Sequence, residues 1–286
     1  MTVAVELGET SSNRVAELIR RWDVLPENSI ETPDSHLVFG KAGARTVVLK
    51  VIKRPGDEWH CGAILEAFDG NGVARVHKFV DGAALLERLE PGNSLAGVAL
   101  SGHDEQATDV LAGVMRRMSP RDQPPHAVPV QNLANGFQRY LSSGNEHIPK
   151  GLVEHAQQVY GELCASQTRV RLLHGDLHHY NVLFDQARGW LAIDPKGLVG
   201  ETEYEIGAAL RNPYERPELF ATPEAVQGRL RRFETILGID SLRALAWGFA
   251  QAVLATIWSV EDESVVKAGD SFLLLAAAIR PMLGNR

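Results

Sequence analysis

The sequence predicts an α+β chain in two lobes, a small β-rich N-terminal lobe and a larger, mainly helical C-terminal lobe. Three observations carry this. The segments 36–41 (HLVFGK) and 45–52 (RTVVLKVI) have strand character and flank a short Ala42-Gly43-Ala44 turn, the pattern of a hairpin. Pro91-Gly92-Asn93 then breaks the pattern. Beyond the break, apolar residues recur at helical spacing. The chain of 286 residues, 44% hydrophobic and 23% charged, is long enough to bury a real core without disulfide or metal staples.

In chain order, Val15, Leu18, Ile19 and Trp22 share one helical face and predict an opening helix over 14–22. The hairpin follows, and Pro55-Gly56 stops its second strand. A helix is expected from Asp57 through about Phe68, closed by the Gly70-Asn71-Gly72 turn, with short strands at 73–80 and 84–89. In the second lobe, Val110, Leu111, Val114, Met115 and Met118 mark one helix. Pro120, Pro124, Pro125 and Pro129 make 119–129 a loop. Leu152, Val153, Ala156, Val159, Tyr160, Leu163 and Cys164 mark another helix. The inserted hairpin pairs Val182–Phe184 with Trp190–Ile193 across an Asp185–Gly189 turn. Thr222 and Pro223 read as N-cap and first residue of a helix carrying Val226, Leu230, Phe233 and Leu237 and ending at Gly238. Asp240 caps the next helix. Its weakly charged run 244–260 is short for a membrane span and contains Gln251, Thr256 and Ser259, so it reads as buried. The expected division is 1–90 and 91–286, with a hinge near 87–92.

Lysine and arginine total 29 against 36 acidic residues, a net charge of −7. That balance disfavours nucleic acid as a partner and suits a cationic small molecule. Cys61 and Cys164 stand at no metal-ligand spacing and are expected to be reduced thiols. MTVAVELGETSS shows no basic region before an apolar stretch. The expectation is a cytoplasmic monomer with no membrane association.

The most informative stretch is 172–195, LLHGDLHHYNVLFDQARGWLAIDP. Asp176 and Asn181 lie five positions apart, and Asp194 ends an apolar strand. Phosphoryl transfer needs such a set. One carboxylate accepts a hydrogen bond from the substrate hydroxyl and orients it. An amide oxygen and a second carboxylate are hard ligands for Mg2+ bridging nucleotide phosphates.

This spacing matches the H-x-D-L-x-x-x-N loop of protein kinases, with Gly175 in place of the usual Arg and with Pro195 after Asp194. HGDLHxxN with a downstream IDP resembles the aminoglycoside phosphotransferase branch of the kinase-like fold. The run IDPKGLVGE, Ile193 to Glu201, is most similar to the streptomycin 6-kinase and hydroxyurea-kinase group. The resemblance extends from about Leu37 to Ser264 and is sharpest over Leu173 to Glu201. It implies a bilobal protein-kinase-like fold using ATP and Mg2+. It also implies Asp176 as the catalytic carboxylate, Asn181 and Asp194 as metal ligands, and His174 as a support of the loop. Lys50 corresponds to the lysine that contacts the α- and β-phosphates, and Glu58 to its helix partner, with Glu66 as a second candidate. The linker Glu87-Arg88-Leu89-Glu90 would offer backbone hydrogen bonds to adenine, chiefly at Glu87 and Leu89. No G-x-G-x-x-G loop precedes Lys50. The equivalent turn is placed between Pro33 and Gly43, with Ser35 as its phosphate contact.

Other readings stay open. His174, Asp176, His178 and His179 form a His/Asp-rich loop that a zinc hydrolase would also use. His179 and Tyr180 are otherwise expected near the loop surface. For a cationic acceptor, Glu201 and Glu261 are the preferred pair among the acidic residues, with Asp262 and Trp258 beside the second. Lys196 and Arg211 either contact phosphate or pair with carboxylates. The resemblance implies phosphorylation of streptomycin at its 6-hydroxyl as the expected activity. Hydroxyurea or another small hydroxyl metabolite is the alternative acceptor, and a catalytically idle nucleotide-binding protein the alternative class.

Overall fold

The computed structural model describes residues 2–263 and 270–284, with side chains over 12–261 and 270–284. Helix α1 (Thr2–Arg21) leads into strand β1 (Leu25–Glu31), followed by β2 (Ser35–Ala42) and β3 (Arg45–Ile52). Helix α2 (Cys61–Phe68), β4 (Val76–Val80) and β5 (Ala83–Glu87) complete the N-lobe. The sheet is antiparallel in the order β1-β2-β3-β5-β4. Leu18 of α1 and Trp22 just after it pack with Val38, Val47, Leu49, Val51 and Leu85 on one side of it. Ile64, Leu65 and Phe68 of α2 join the larger core on the other.

Two differences from the sequence expectation matter here. Strand β1, LPENSIE, is additional: it is a polar edge strand with every residue exposed, so it shows no alternation. Helix α2 begins at Cys61, not Asp57. Residues 57–60 form a turn, with the Trp59 and Cys61 N–H groups donating to the Gly56 and Glu58 carbonyls. The Trp59 ring is drawn under the β4–β5 turn, where its carbonyl accepts the Gly82 N–H at 2.7 Å. A Cβ on Gly82 would lie 2.4 Å from that ring. Glu58 therefore stands in the turn before the helix.

After residues 88–90 the chain enters the C-lobe. Pro91-Gly92-Asn93, expected only as a break, belongs to a short strand β6 (Pro91–Ser94), followed by α3 (Ala96–Leu100) and α4 (Asp104–Arg117). The proline-rich loop ends in β7 (Val128–Pro129). Helices α5 (Asn135–Ser142) and α6 (Lys150–Ala165) precede β8 (Arg171–Leu173), β9 (Val182–Asp185), β10 (Gly189–Ala192) and β11 (Leu198–Gly200). Helices α7 (Thr202–Leu210), α8 (Pro217–Phe220), α9 (Pro223–Leu237), α10 (Ser241–Glu263) and α11 (Ser271–Ile279) follow. Two small sheets, β10-β9-β6 and β7-β11-β8, bracket the loop between β8 and β9.

Helix α10 is the centre of this lobe. An 18-residue apolar stretch within 241–261 is 83% buried within the protein, and Trp247, Phe249 and Leu254 are inaccessible. Asp240 caps it, its carboxylate accepting the N–H groups of Leu242 and Arg243 at 2.9 and 3.0 Å. Thr222 caps α9 by accepting the Ala225 N–H. Arg229 of α9 is buried against Asp104 of α4 and donates to the Ala209 and Asn212 carbonyls. That contact ties down the end of α7, where Arg211 begins.

Candidate active site

The β8–β9 loop is held from both sides. His174 is fully buried. Its Nε2 donates to the Ile193 carbonyl at 2.7 Å and its Nδ1 accepts the Asp176 N–H at 3.3 Å. Burial pushes its pKa down to about 4, so the ring is neutral at pH 7. From the opposite side, the buried carboxylate of Glu205 on α7 accepts the N–H groups of Gly175 and Leu177 at 3.0 and 3.3 Å. Gly175 has φ +85°, and a Cβ there would lie 2.6 Å from Leu198, so glycine is required.

These supports set Asp176 beside Arg211 and Lys196, which line a small pocket with Trp258. Arg211 Nη2 donates to Asp176 Oδ1 at 3.1 Å, and Lys196 Nζ lies 3.4 Å from Oδ2. Burial alone would raise the Asp176 pKa. The charges of Lys196, His178 and Arg211 outweigh it and hold the carboxyl far below the usual carboxylate range. Asn181 donates Nδ2–H to the Asp176 carbonyl at 3.0 Å, which leaves its amide oxygen as a ligand. Asp194 sits at φ +58°, an uncommon conformation for a residue with a Cβ. Its Oδ1 lies 2.7 Å from Lys50 Nζ, which also donates to Glu58 Oε2 at 2.5 Å. Burial disfavours the Lys50 charge, but Asp194 and Glu58 outweigh it and raise its pKa above the ordinary value. Lys50, Glu58 and Asp194 thus form one ion-pair chain from the N-lobe to the C-lobe.

A cleft of about 410 Å³ opens between the lobes, walled by Leu37, Val48, Ala74, Leu86, Leu183 and Ile193, with Lys50 and Asp194 at one end. Residues 87–92 run along its edge. Among the described residues no protein group accepts the Leu89 N–H. The Glu87 side chain is taken up by the Arg75 N–H, at 2.7 Å, and by Arg188. Its own N–H donates to the Arg75 carbonyl at 2.9 Å, so the Glu87 carbonyl is the group left for a ligand. Ser35 opens β2 just after the β1–β2 turn, paired across the hairpin with Ile52. It is buried, with its hydroxyl 3.1 Å from the Thr32 hydroxyl. Beyond Lys50, a polar basin of about 360 Å³ is lined by Asp34, Arg54, Asp57, Glu58 and Lys196.

The acceptor side differs most from the sequence reading. The Trp258 ring lies 5.7 Å from Lys196 Nζ in a small pocket shared with Arg211 and Tyr204. Glu201 does not face this pocket. It is 3% exposed and accepts from Arg243 Nε and Trp247 Nε1, both at 2.5 Å, so it binds α10 to α7 and is closed to substrate. Glu261 places its two oxygens on Arg139, at 3.2 and 3.1 Å, and is not a free carboxylate. The side chain of Asp262 lies outside the described residues. Glu66 is exposed on α2, and the turn residue Glu58 takes Lys50 instead.

The zinc arrangement is not assembled. His174 uses both ring nitrogens, and His178 accepts the Tyr180 N–H at Nδ1. His179 is not at the surface: its ring is fully buried and both nitrogens lack a partner among the described residues. Sequence reasoning missed the role of Glu205 and the N-lobe contact of Lys196 with Asp57. The acidic run GETEYE flagged Glu205, but nothing local distinguishes it from its neighbours.

A cleft between the lobes with a buried, carboxylate-paired lysine at one end, and an Asp–Asn–Asp set on the adjoining loop and hairpin, define a phosphotransferase of the kinase-like class. Solved structures agree on the fold. A thermostable mutant of aminoglycoside phosphotransferase APH(4)-Ia, in ternary complex with AMP-PNP and hygromycin B, superposes with TM-score 0.66 at 17% identity, covering 94% of this chain and 99% of that one. Choline kinase LicA from Streptococcus pneumoniae gives 0.62 at 13% identity, covering 97% and 100%. The aminoglycoside/hydroxyurea antibiotic resistance kinase family matches residues 21–263, and the chain belongs to it. Among curated relatives, streptomycin 3''-kinase from Klebsiella pneumoniae is 34% identical over 250 residues, 85% of this chain and 91% of that protein. Streptomycin 6-kinase from Streptomyces griseus is 30% identical over 285 residues, 93% and 89%. Hydroxyurea phosphotransferase from Kitasatospora aureofaciens is 29% identical over 282 residues, 91% and 76%.

Proposed function

We propose that this protein transfers the γ-phosphoryl group of ATP to the 6-hydroxyl of streptomycin, with Mg2+ as the metal. The observation that carries the reading is Asp176, kept ionised between Arg211 and Lys196 and tied through Asn181 and Asp194 to the lysine of the cleft.

The apolar cleft accommodates adenine, with the Leu89 N–H and the Glu87 carbonyl on its edge. Lys50, steadied by Glu58, meets the α- and β-phosphates. The Asn181 amide oxygen and the Asp194 carboxylate fit Mg2+, which prefers hard oxygen ligands and keeps several waters. Bound there, Mg2+ would supply charge neutralisation between the phosphates. Asp176 accepts a hydrogen bond from the acceptor hydroxyl and points it at the phosphorus. Its low proton affinity suits a loose transition state, in which the hydroxyl proton leaves late and positioning outweighs base strength. Lys196 and Arg211 flank the developing charge.

Streptomycin is favoured by the relatives that act on it, and its cationic groups suit the acidic chain and the Trp258 face. ADP release with Mg-ATP should be stimulated strongly by streptomycin, and product mapping should show phosphate on the 6-hydroxyl. The relationship to a hydroxyurea phosphotransferase supports hydroxyurea as second acceptor; stimulation by hydroxyurea alone would replace the first reading with it. No stimulation by either, with ATP binding intact, would refute both.

A further inference from the structure

Outside the cleft, among the described residues, one cluster gathers three metal-ligating side chains: His60, Asp81 and His126, with one ligand atom of each within 4.8 Å of the others. They come from three separate places. His60 ends the turn that carries Glu58. Asp81 is in the β4–β5 turn, its Oδ1 3.0 Å from His60 Nδ1. His126 belongs to the proline-rich loop of the C-lobe, and its ring stacks on His60 with centroids 3.9 Å apart and planes 8° from parallel. Two ligands thus belong to the N-lobe and one to the C-lobe.

We propose that His60, Asp81 and His126 bind Zn2+, or a divalent ion of similar character, and that the bound ion staples the lobes together and slows turnover. Two imidazoles and a carboxylate suit Zn2+ and not Mg2+, which prefers oxygen alone. Three protein ligands plus water complete a four-coordinate site. Zinc–ligand bonds near 2.0–2.1 Å put tetrahedral ligand atoms about 3.3 Å apart. His126 and Asp81 are exposed, so their side chains are free to turn, and the stacked imidazoles splay to bring one nitrogen of each onto the ion. The Asp81 carbonyl, not its carboxylate, receives the nearby Arg14 guanidinium.

The consequence follows from what each ligand is joined to. His60 is two residues from Glu58, the partner of Lys50. The loop bearing His126 is anchored to α2 through the Arg121 N–H and the Ala67 carbonyl, 2.8 Å. It is anchored also to the segment after Asp194, through the Val128 N–H and the Gly197 carbonyl, 2.9 Å. An ion here links both ends of the Lys50–Asp194 chain from outside the cleft. Opening of such a cleft releases product, so a fixed closure lowers kcat.

The test is calorimetric titration of the full chain with ZnCl2 in excess Mg2+, beside turnover with and without zinc. One zinc per chain is expected, weakened at least about ten-fold in His126→Ala and in Asp81→Asn. Cobalt should give a d–d absorption that both variants lose. Zinc should lower kcat in the wild type, while His126→Ala, unchanged in basal activity, should resist it. Equal zinc binding by wild type and His126→Ala overturns the site. Zinc bound with undiminished kcat overturns the staple. The binding arm needs no acceptor, so its failure is distinguishable from failure of the streptomycin assay.

Discussion

Lys196 Nζ stands 3.4 Å from Asp176 Oδ2, and the same ammonium stands 3.4 Å from Asp57 Oδ2 on the opposite lobe. One cation thus links the N-lobe turn before α2 to Asp176, the carboxylate proposed to orient the acceptor, with the Trp258 ring beside it. Its own pKa is raised: burial works against the charge, and Asp176 and Asp57 outweigh that. Lys196→Met keeps the aliphatic stem and deletes the charge. Turnover should fall about ten- to a hundred-fold while ADP affinity changes little, because the missing charge faces the transferred group and not adenine. Steady-state kinetics with ADP titration check this; a loss confined to ADP affinity would place Lys196 on the nucleotide instead.

Asp176→Ala should lower kcat by roughly 10²–10⁴, the usual contribution of a positioned proton acceptor. Nucleotide binding should persist, since Lys50, Asp194 and the cleft walls are untouched. Single-turnover rates and ADP titration separate the two effects. Unchanged turnover would sink the assignment.

Glu201 is buried between Arg243 and Trp247. Glu201→Ala leaves the buried Trp247 indole N–H without its acceptor, while the partly exposed Arg243 guanidinium keeps Ser166 and Leu163, which costs about 1–3 kcal/mol of stability. The acceptor KM of the folded fraction should be unchanged. Denaturant unfolding and kinetics at low temperature decide it; a raised KM at normal stability would return Glu201 to the substrate.

The acid stability of the catalytic loop is set by opposing groups. The His174 pKa falls from 6.5 to about 4 on burial, so its contribution is present above pH 6.5 and lost as pH falls towards 4. Glu205 is raised by burial from 4.5 to about 7, against the pull of the loop N–H groups. Its penalty is relieved as pH falls from 7 to 4.5, which partly offsets the histidine. Glu205→Gln removes that offset. Between about pH 7 and 5 the variant should lose about 2 kcal/mol more stability than the wild type. Urea unfolding at a series of pH values measures the slope; parallel profiles would contradict it.

The proposed catalytic set is legible in the sequence because its members are close along the chain. Asp176, Asn181 and Asp194 fall within one strand–loop–hairpin. The bonds that shape it, His174 to Ile193 and Asn181 to Asp176, span only 19 and 5 positions. The hairpin β2–β3 and the caps at Thr222 and Asp240 are legible for the same local reason. Strand β1 is hidden because an exposed edge needs no apolar period. Glu58 is misplaced because Trp59 packs under a turn that only the folded sheet brings near.

The three glutamates of GETEYE mark the boundary between the two kinds of information. Chain order alone establishes that the HGDLHHYN loop comes first, Asp194 second, and that acidic groups follow both. What each of those groups does depends on packing between distant helices. Glu201 goes to Arg243 and Trp247, Glu203 accepts the Asp240 N–H at 3.2 Å, and Glu205 holds the catalytic loop. All three are alike in charge, and each stands two positions from the next. The packing of α7 on α10 turns them to different partners, and a buried carboxylate takes the role of whatever donor it is buried against.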